Sequence, residues 1–428
     1  MAYLRKKINT HVVRNNCILC KSNKLEIILP LLNCRLPDLY LKNPSEKNNF
    51  NKTYNFSVYM CKACKHLQLK TIIKREYTWG NYFFQTGKKM GNNNHYETFV
   101  DSIIKFYKKK IRNVLDIGSN DGFFLKIFKR KKIPYILGIE ASKDISRIAN
   151  KNNIRTINNY FNLKSSKEIA KNYRKKFDII TANNVFSHNA DLISFAKGVK
   201  NLLTDESLFV TEISYAPTIL KNNYFLGTVF HEHTSYHSLT PLKSFLEKQG
   251  LKIIKCESNE LQGGSLVCFI AKSNSIFKVD KSVSRILRQE KKDGFLNSKK
   301  VKKYLFKIKT LKINLDKIIK EISKNKGKKI FAFGASISST SFFTFFNLIG
   351  KIDFIVDDNP LKQGKYHPCG NIPVYPSSNL EKLKNYYGII FAWEHNNKIV
   401  KRFDKFISKN SGFIELFPKI KIIDKNIN

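Results

Sequence analysis

Three groups of residues have types and spacings that do chemistry. The first lies in VLDIGSNDGFFLKIF, residues 114–128, where Asp116 falls within an apolar run, Gly118-Ser119-Asn120-Asp121-Gly122 makes a glycine-rich turn, and an apolar-periodic stretch follows. A strand, a turn and a helix in that order open a doubly wound sheet, whose ligands sit outside the carboxyl ends of the strands. The spacing is D-x-G-x-x-x-G, not the G-x-G-x-x-G of dinucleotide binders. An acidic residue ahead of the first glycine suits a neutral or cationic ligand better than a pyrophosphate. Glu140 ends the next apolar run, YILGIE, where a carboxylate can take a ribose diol. The two acidic positions together read as a site for S-adenosylmethionine.

The second group is Cys17-Ile18-Leu19-Cys20 with Cys61-Lys62-Ala63-Cys64. Two such C-x2-C knuckles can bring four thiolates to one tetrahedral Zn²⁺. Four thiolates leave no open coordination position, so the expected zinc is structural, and disulfides are not expected in a cytoplasmic protein. Cys34, Cys256, Cys268 and Cys369 stand alone and suit buried apolar packing.

The third group is FHEHTSYHSL, residues 230–239, which packs His231, Glu232, His233, Tyr236 and His237 into seven positions. So many titratable groups are not expected to be core. A histidine held by a carboxylate can move a proton near neutral pH, with a tyrosine donating to developing oxyanion charge. His-Glu-His can instead ligate a metal, or form a polar loop cluster. In an extended segment His231 and His233 share one side, with no third ligand evident nearby. NNVFSHNADL, residues 183–192, follows the apolar run FDIITA, which places Asn183 and His188 at the mouth of the cofactor crevice, although a histidine there also suits a helix start. Gly263-Gly264 in LQGGSLV is read as a β-bulge. FGASIS, residues 333–338, with Asp357-Asp358-Asn359-Pro360 forms a second nucleotide-type crevice, where the missing G-x-G-x-x-G leaves NAD binding and a plain tight turn both open.

These residues need elements to position them. Apolar runs alternate with helical patterns from about residue 95 to 275 (VLDIG, YILGIE, FDIITANN, SLFVTEIS, IIKCES, LVCFIAK), which implies an α/β fold with a helix-covered, doubly wound sheet. Residues 1–80 are the cysteine-bearing zinc-binding domain, 81–275 the cofactor-binding domain, 276–327 a Lys-rich helical bridge, and 328–428 a second Rossmann-like α/β domain. The 428 residues carry 77 Lys and Arg against 33 Asp and Glu, a net charge of +44. Lysine is spread along the whole chain beside many Asn and Ile, so the charge reads as a global composition bias and not as a nucleic-acid patch, which would interleave with aromatics. No apolar run reaches the length of a membrane span and the amino terminus lacks a signal-peptide core, so a cytoplasmic protein without membrane or nucleic-acid partners is expected. It is expected to be a monomer or homodimer.

In order and spacing, CILC…CKAC, DIGSNDGFFL, GIEAS, NNVFSHNAD, HEHTSY, GGSL and IVDDNPLKQGKYHPCGNIPVYP resemble the S-adenosylmethionine-dependent C-methyltransferases of nucleotide-linked keto-deoxysugars. That family joins a zinc-binding domain, a class I methyltransferase domain and a Rossmann-like carboxyl-terminal domain. The resemblance implies methyl transfer to the carbon beside a sugar ketone, with TDP as the expected nucleotide. It implies His233 as general base with Glu232 and His231 beside it, His188 near the reacting centre, and Tyr82 of NYFFQTG as a catalytic tyrosine. Cofactor contacts would fall on Asp116, Gly118, Asn120, Gly122, Glu140 and Asn183. The chain departs from the family in Phe230, where a tyrosine often precedes His-Glu-His, in GASISSTSFF, where a Lys-Gly pair is usual, and in Cys369-Gly370, where Pro-Gly is usual.

Overall fold

The structure, a computed structural model, describes residues 9–44, 52–74, 77, 86–88, 93–173, 176–324 and 327–425. Short β-forming runs at the amino end make β1 (His11–Val13), β2 (Leu25–Leu29), β3 (Val58–Cys61), β4 (Leu67–Leu69) and β5 (Thr71–Ile73). β2, β3 and β4 pair as an antiparallel ladder, while β1 pairs with β5. The ladder takes its outer strand from far along the chain: Ser235–Tyr236, inside HEHTSY, pairs antiparallel with β4.

The alternating region makes β6 (Asn113–Ile117), β7 (Tyr135–Glu140), β8 (Thr156–Asn158), β9 (Ile179–Asn183), β10 (Leu208–Ser214), the borrowed β11 (Ser235–Tyr236), β12 (Leu251–Asn259) and β13 (Ser265–Lys272). Among the described residues the order across this sheet is β12-β13-β10-β9-β6-β7-β8, parallel throughout except for β13. The chain runs outward from β6 to β8 and returns at β9, so β6 and β9 flank the switch point where such sheets bind ligands. β10 is buried along its whole length, as a strand covered on both faces must be.

A second α/β sheet follows, with β14 (Lys329–Phe333), β15 (Ile355–Val356), β16 (Tyr366–His367), β17 (Ile372–Tyr375), β18 (Tyr386–Ile390), β19 (Gly412–Glu415) and β20 (Lys421–Ile423). β14 lies between β15 and β18, both parallel to it, which creates a second switch point.

Two helices cover residues 281–324. Lys281–Asp293 packs on β12, and its buried Glu290 accepts hydrogen bonds from Tyr215 Oη at 2.8 Å, Thr240 N at 2.9 Å, Thr240 Oγ1 at 2.6 Å and Leu239 N. That carboxylate satisfies the free N–H groups opening the helix Leu239–Lys248. Ser298–Lys324 buries Val301, Leu305, Ile308, Leu311, Leu315, Ile319 and Ile322, spaced by threes and fours along one face, and leaves its lysines outward. That face meets β2, the helix Ala216–Lys221, the helix Ser339–Phe346 and β14. One apolar cluster therefore runs from Phe56 and Leu69 through Phe225 and Ile308 to Phe342 and Phe391. Among the described residues no helix is long and apolar enough to cross a membrane. Ile308→Ala is expected to destabilise the chain by about 2–5 kcal/mol, the range for truncating a buried aliphatic side chain, read as a lower urea midpoint with an unchanged slope.

Candidate active site

The turn after β6 is shaped by backbone that side chains resist. Gly118 has φ +69°, and a Cβ there would meet Val185 Cγ2 at 2.5 Å; Gly122 has φ +78°, with Ile154 2.9 Å from a Cβ. Asp116 is buried and accepts from Thr181 Oγ1 at 2.6 Å across the switch point. Burial pushes its carboxyl up to about 7, against the pull of that hydrogen bond. Glu140 accepts from Asn120 N at 3.0 Å and from Ser142 N at 2.8 Å, which fastens the turn to the end of β7; burial still raises its carboxyl. The backbone N–H groups of Thr86 and Gly87 donate to Asn120 Oδ1 at 2.9 Å and Asp121 Oδ2 at 3.0 Å, so the end of NYFFQTG lies on this turn. Asn183, at the carboxyl end of β9, has a buried Oδ1 without a hydrogen-bond partner among the described residues. Tyr82 lies outside the described residues.

The His-Glu-His segment is a turn, not the extended run its alternation suggested: His233 N donates to Phe230 O at 3.1 Å, and Thr234 N to Glu232 O at 3.0 Å. His231 is thereby turned toward Phe56, while His233 faces Phe230 and His188, with ring centroids 3.9 and 4.8 Å away. Contrary to expectation, these titratable groups are core: His231, Glu232 and His237 are buried, and His233 and His188 keep partial exposure. Among the described residues the four knuckle cysteines are the one grouping of three or more His, Cys, Asp or Glu side chains whose ligand atoms come together.

The imidazole of His233 has a defined tautomer. Its Nδ1 is 2.8 Å from Thr228 O, and a carbonyl only accepts, so Nδ1 carries the proton and Nε2 carries the lone pair. Burial lowers His233 to about 4 against that bond, so the ring is neutral near pH 7. Glu232 Oε2 lies 3.6 Å from His188 Nδ1 and Oε1 lies 3.7 Å from His231 Nε2. Burial pushes Glu232 up to about 8 and draws His231 down to about 4, leaving a protonated carboxyl between neutral imidazoles. Tyr236 Oη is buried without a partner among the described residues, its ring centroid 6.3 Å from that of His233.

The two cysteine knuckles adopt the same turn. Cys17 N donates to Ser22 O at 2.8 Å and Lys21 N to Cys17 O at 3.0 Å; Cys61 N donates to His66 O at 2.8 Å and Lys65 N to Cys61 O at 2.9 Å. The four Sγ atoms lie within 4.8 Å of one another, with Cys17–Cys64 at 3.5 Å and Cys20–Cys61 at 3.6 Å. A tetrahedral ion with bonds of about 2.3 Å needs sulfur–sulfur edges of about 3.8 Å, so the donor set fits one ion.

Several residues here escaped the sequence reading. Glu212, fully buried on β10 opposite Asn183, is held by His95 Nε2 at 2.8 Å and Asn259 Nδ2 at 2.8 Å; contacts between residues so far apart have no local pattern. Gly263-Gly264 is not a bulge but closes the β12–β13 hairpin, with φ +80° and +143°. Close approach explains it, because a Cβ on Gly263 would meet Trp393 at 3.1 Å, and Tyr224 stacks on Trp393 at 4.9 Å. The second crevice repeats the first in its bonding: Asp357, after β15, accepts from Ala335 N in the glycine turn at 2.7 Å and from Asn359 N at 2.8 Å. Lys362 Nζ donates to Ala335 O at 2.6 Å and pairs with Asp38 at 3.1 Å, and Ser341 Oγ donates to Val229 O beside the His-Glu-His turn.

A doubly wound sheet with an acidic glycine turn defines the central unit as a class I methyltransferase. In agreement, residues 92–255 match a family described as methyltransferase domain, and residues 260–418 match the C-methyltransferase C-terminal domain. The chain thus joins a methyltransferase domain to a C-methyltransferase C-terminal domain, and it is a methyltransferase. It is similar to the C-methyltransferase NovU of Streptomyces niveus, with 26% identity over 373 residues, covering 86% of this chain and 88% of that one. Solved structures similar to it include an S-adenosylmethionine-dependent methyltransferase from Clostridium acetobutylicum (13% identity, 42% of this chain and 91% of that one, TM-score 0.34). Another is the plantazolicin methyltransferase BpumL in complex with SAH (17% identity, 41% and 82%, TM-score 0.33).

Two pH effects follow from these environments. Asp116, raised to about 7 by burial, is the carboxylate expected from the sequence to meet a cationic cofactor; on that expectation S-adenosylmethionine affinity, measured by calorimetry, falls up to about tenfold per pH unit below 7, and a flat profile would contradict it. His231, His233 and His237 are lowered to about 4 and His367 to about 3, so between these values and 6.5 these four bind more protons in the unfolded chain, an excess that the raised Asp116 and Glu232, which hold protons in the folded chain, offset only in part. Stability is therefore expected to rise with pH across that window and to be lost on acidification from 6.5 toward 4, as read by urea midpoints.

Proposed function

We propose that this C-methyltransferase methylates the carbon next to the keto group of a nucleotide-linked keto-deoxysugar, with His233 as general base. The observation that carries the reading is the fixed tautomer of His233: Nδ1 is committed to Thr228 O, and Nε2 offers its lone pair from the partly open residue of the turn. Nε2 takes the proton from the carbon beside the ketone, the C–H electron pair becomes the enolate double bond, and charge moves to the oxygen. O–H donors near that oxygen stabilise the charge; Tyr236 has an uncommitted hydroxyl, and the family resemblance gives the same task to Tyr82. Glu232, protonated below about 8, lies between His188 and His231 and so adds no carboxylate charge of its own to oppose the enolate. S-adenosylmethionine, when bound, supplies a methyl group whose bond to sulfur breaks as the carbon–carbon bond forms.

Asp116, Gly118, Asn120, Gly122, Glu140 and Asn183 are assigned to the cofactor, with the acidic pair complementing its positive charge. The nucleotide part of the acceptor is assigned to the second crevice. Its Asp357 repeats the bonding of Glu140, Lys362 holds its glycine turn through Ala335 O, and Ser341, in the helix after that turn, donates to Val229 O beside the His-Glu-His segment. Zn²⁺ is assigned to Cys17, Cys20, Cys61 and Cys64 as a structural ion, within the organisation of residues 1–80, 81–275, 276–327 and 328–428 proposed for the chain.

Incubation with S-adenosylmethionine and 4-keto-6-deoxy sugars linked to TDP, CDP or GDP is expected to add one methyl to carbon, seen by mass and by the fragment that carries it. His233→Ala is expected to cut turnover by about 10²–10⁴-fold while cofactor affinity stays within about twofold. Lost cofactor binding in that variant would remove the base assignment. Metal analysis is expected to find about one zinc per chain, and a folded metal-free protein would contradict the knuckle assignment.

A further inference from the structure

We propose that Gln68 is a positioning residue that ties the geometry of the cysteine cluster to the base His233. Gln68 is fully buried on β4, between the two knuckles in space, and it binds on both sides. Its side chain grips the main chain flanking Cys17: Oε1 accepts from Ile18 N at 2.8 Å, and Nε2 donates to Asn16 O at 3.0 Å. Its backbone lies opposite Tyr59 of β3, the strand that ends at Cys61, and opposite Ser235 of β11. The next residue, Leu69, donates its N–H to Thr234 O at 3.1 Å. Thr234 is the residue after His233, and it is held from its other side by Ser187 O, which accepts from Thr234 N at 2.8 Å and Thr234 Oγ1 at 3.0 Å.

The second knuckle reaches the same strand. Cys61 N donates to His66 O, and His66 Nε2 lies 3.3 Å from Ser235 Oγ. Both knuckles thus end, within a few hydrogen bonds, on residues 234 and 235. A two-residue strand has little hold of its own, so its register depends on β4 on one side and on the bridge of His237 to Tyr215 on the other. Gln68 acts on the β4 side by locking that strand to the first knuckle, since a buried amide with both ends bonded fixes its neighbours in one arrangement. A slip of β11 by one residue would turn every side chain of the segment to the opposite face, and His233 with them. The cysteine cluster therefore acts on the reaction without touching a reacting atom.

The inference rests on the base assignment of His233 only for its effect on rate, so the test includes a readout free of it. Gln68→Leu keeps the volume and removes both side-chain bonds. Full-length Gln68→Leu is compared with wild type for zinc content, S-adenosylmethionine affinity, amide exchange of residues 231–237, and kcat and KM for the keto-sugar. The variant is expected to keep its zinc and its cofactor affinity, to exchange roughly tenfold faster at residues 231–237 but not at residues 113–117, and to lose about tenfold or more in kcat with little change in KM. Unchanged exchange at residues 231–237 in the folded, zinc-loaded variant would overturn the proposal. Faster exchange with unchanged kcat would uphold the positioning and remove His233 from the chemistry instead. Should Gln68→Leu fail to fold, Gln68→Asn, which keeps the amide but shortens its reach to Ile18 N and Asn16 O, answers the same question. Faster exchange confined to residues 231–237 and the knuckles supports the tie, and equal acceleration at residues 113–117 overturns it.

Discussion

The hydrogen bond from His233 Nδ1 to the Thr228 carbonyl decides which nitrogen of a half-buried imidazole is free to accept a proton, and much of the structure bears on keeping its two ends in place. Thr228 ends a short helical turn, Phe225–Thr228, that packs under Trp393 of the second α/β unit, where Gly227 leaves room for the indole. His233 belongs to a segment whose continuation is a strand of the amino-terminal sheet. His188, whose ring faces it, comes from the loop after β9 of the central sheet. Three units meet at one imidazole, and none of them supplies the site alone.

Burial sets the charge state of this site. A carboxyl and several imidazoles sit in a low-dielectric environment, so each shifts toward its neutral form: Glu232 up, with Asp38 adding to the rise, and His188, His231, His233 and His237 down, with Asp38 opposing the fall at His231. A neutral pocket suits enolisation, because the only charge that develops is the one the reaction makes. The cofactor crevice is the opposite case. Asp116, Asp121 and Glu140 converge on the glycine turn, with Glu212 nearby at the end of β10, in a chain of net charge +44. In the proposed function, local acidity of that kind draws the sulfonium cofactor into a protein that otherwise repels cations.

The elements whose signals are local were legible in the sequence. The turn after Asp116, the strand ending at Glu140 and the paired knuckles each depend on neighbours a few residues apart, so residue type and spacing suffice to find them. The strands named from apolar runs appear at β6, β7, β9, β10, β12 and β13. What remained hidden is non-local. The hold of Gln68 on Ile18, of Glu290 on Thr240, and of His95 on Glu212 joins residues 50, 50 and 117 positions apart, and no periodicity announces such pairs. The same limit explains why the histidine cluster looked too polar for a core. Its burial comes from the amino-terminal sheet and the second α/β unit closing over it, which the segment itself does not encode. Gly263-Gly264 misled for a related reason: the demand for glycine there is set by Trp393, 130 residues downstream of the first of the pair, and not by the strand it precedes.

Deuterium exchange into the acceptor tests the central claim most directly. A TDP-linked 4-keto-6-deoxy sugar is held with the enzyme in D2O without S-adenosylmethionine, and the carbon beside the ketone is followed by NMR. If His233 Nε2 abstracts that proton, the wild-type enzyme washes deuterium into this position before any methyl is transferred, and His233→Ala does not. Methyl transfer by wild type with no exchange at that carbon, or equal exchange in His233→Ala, would contradict the account.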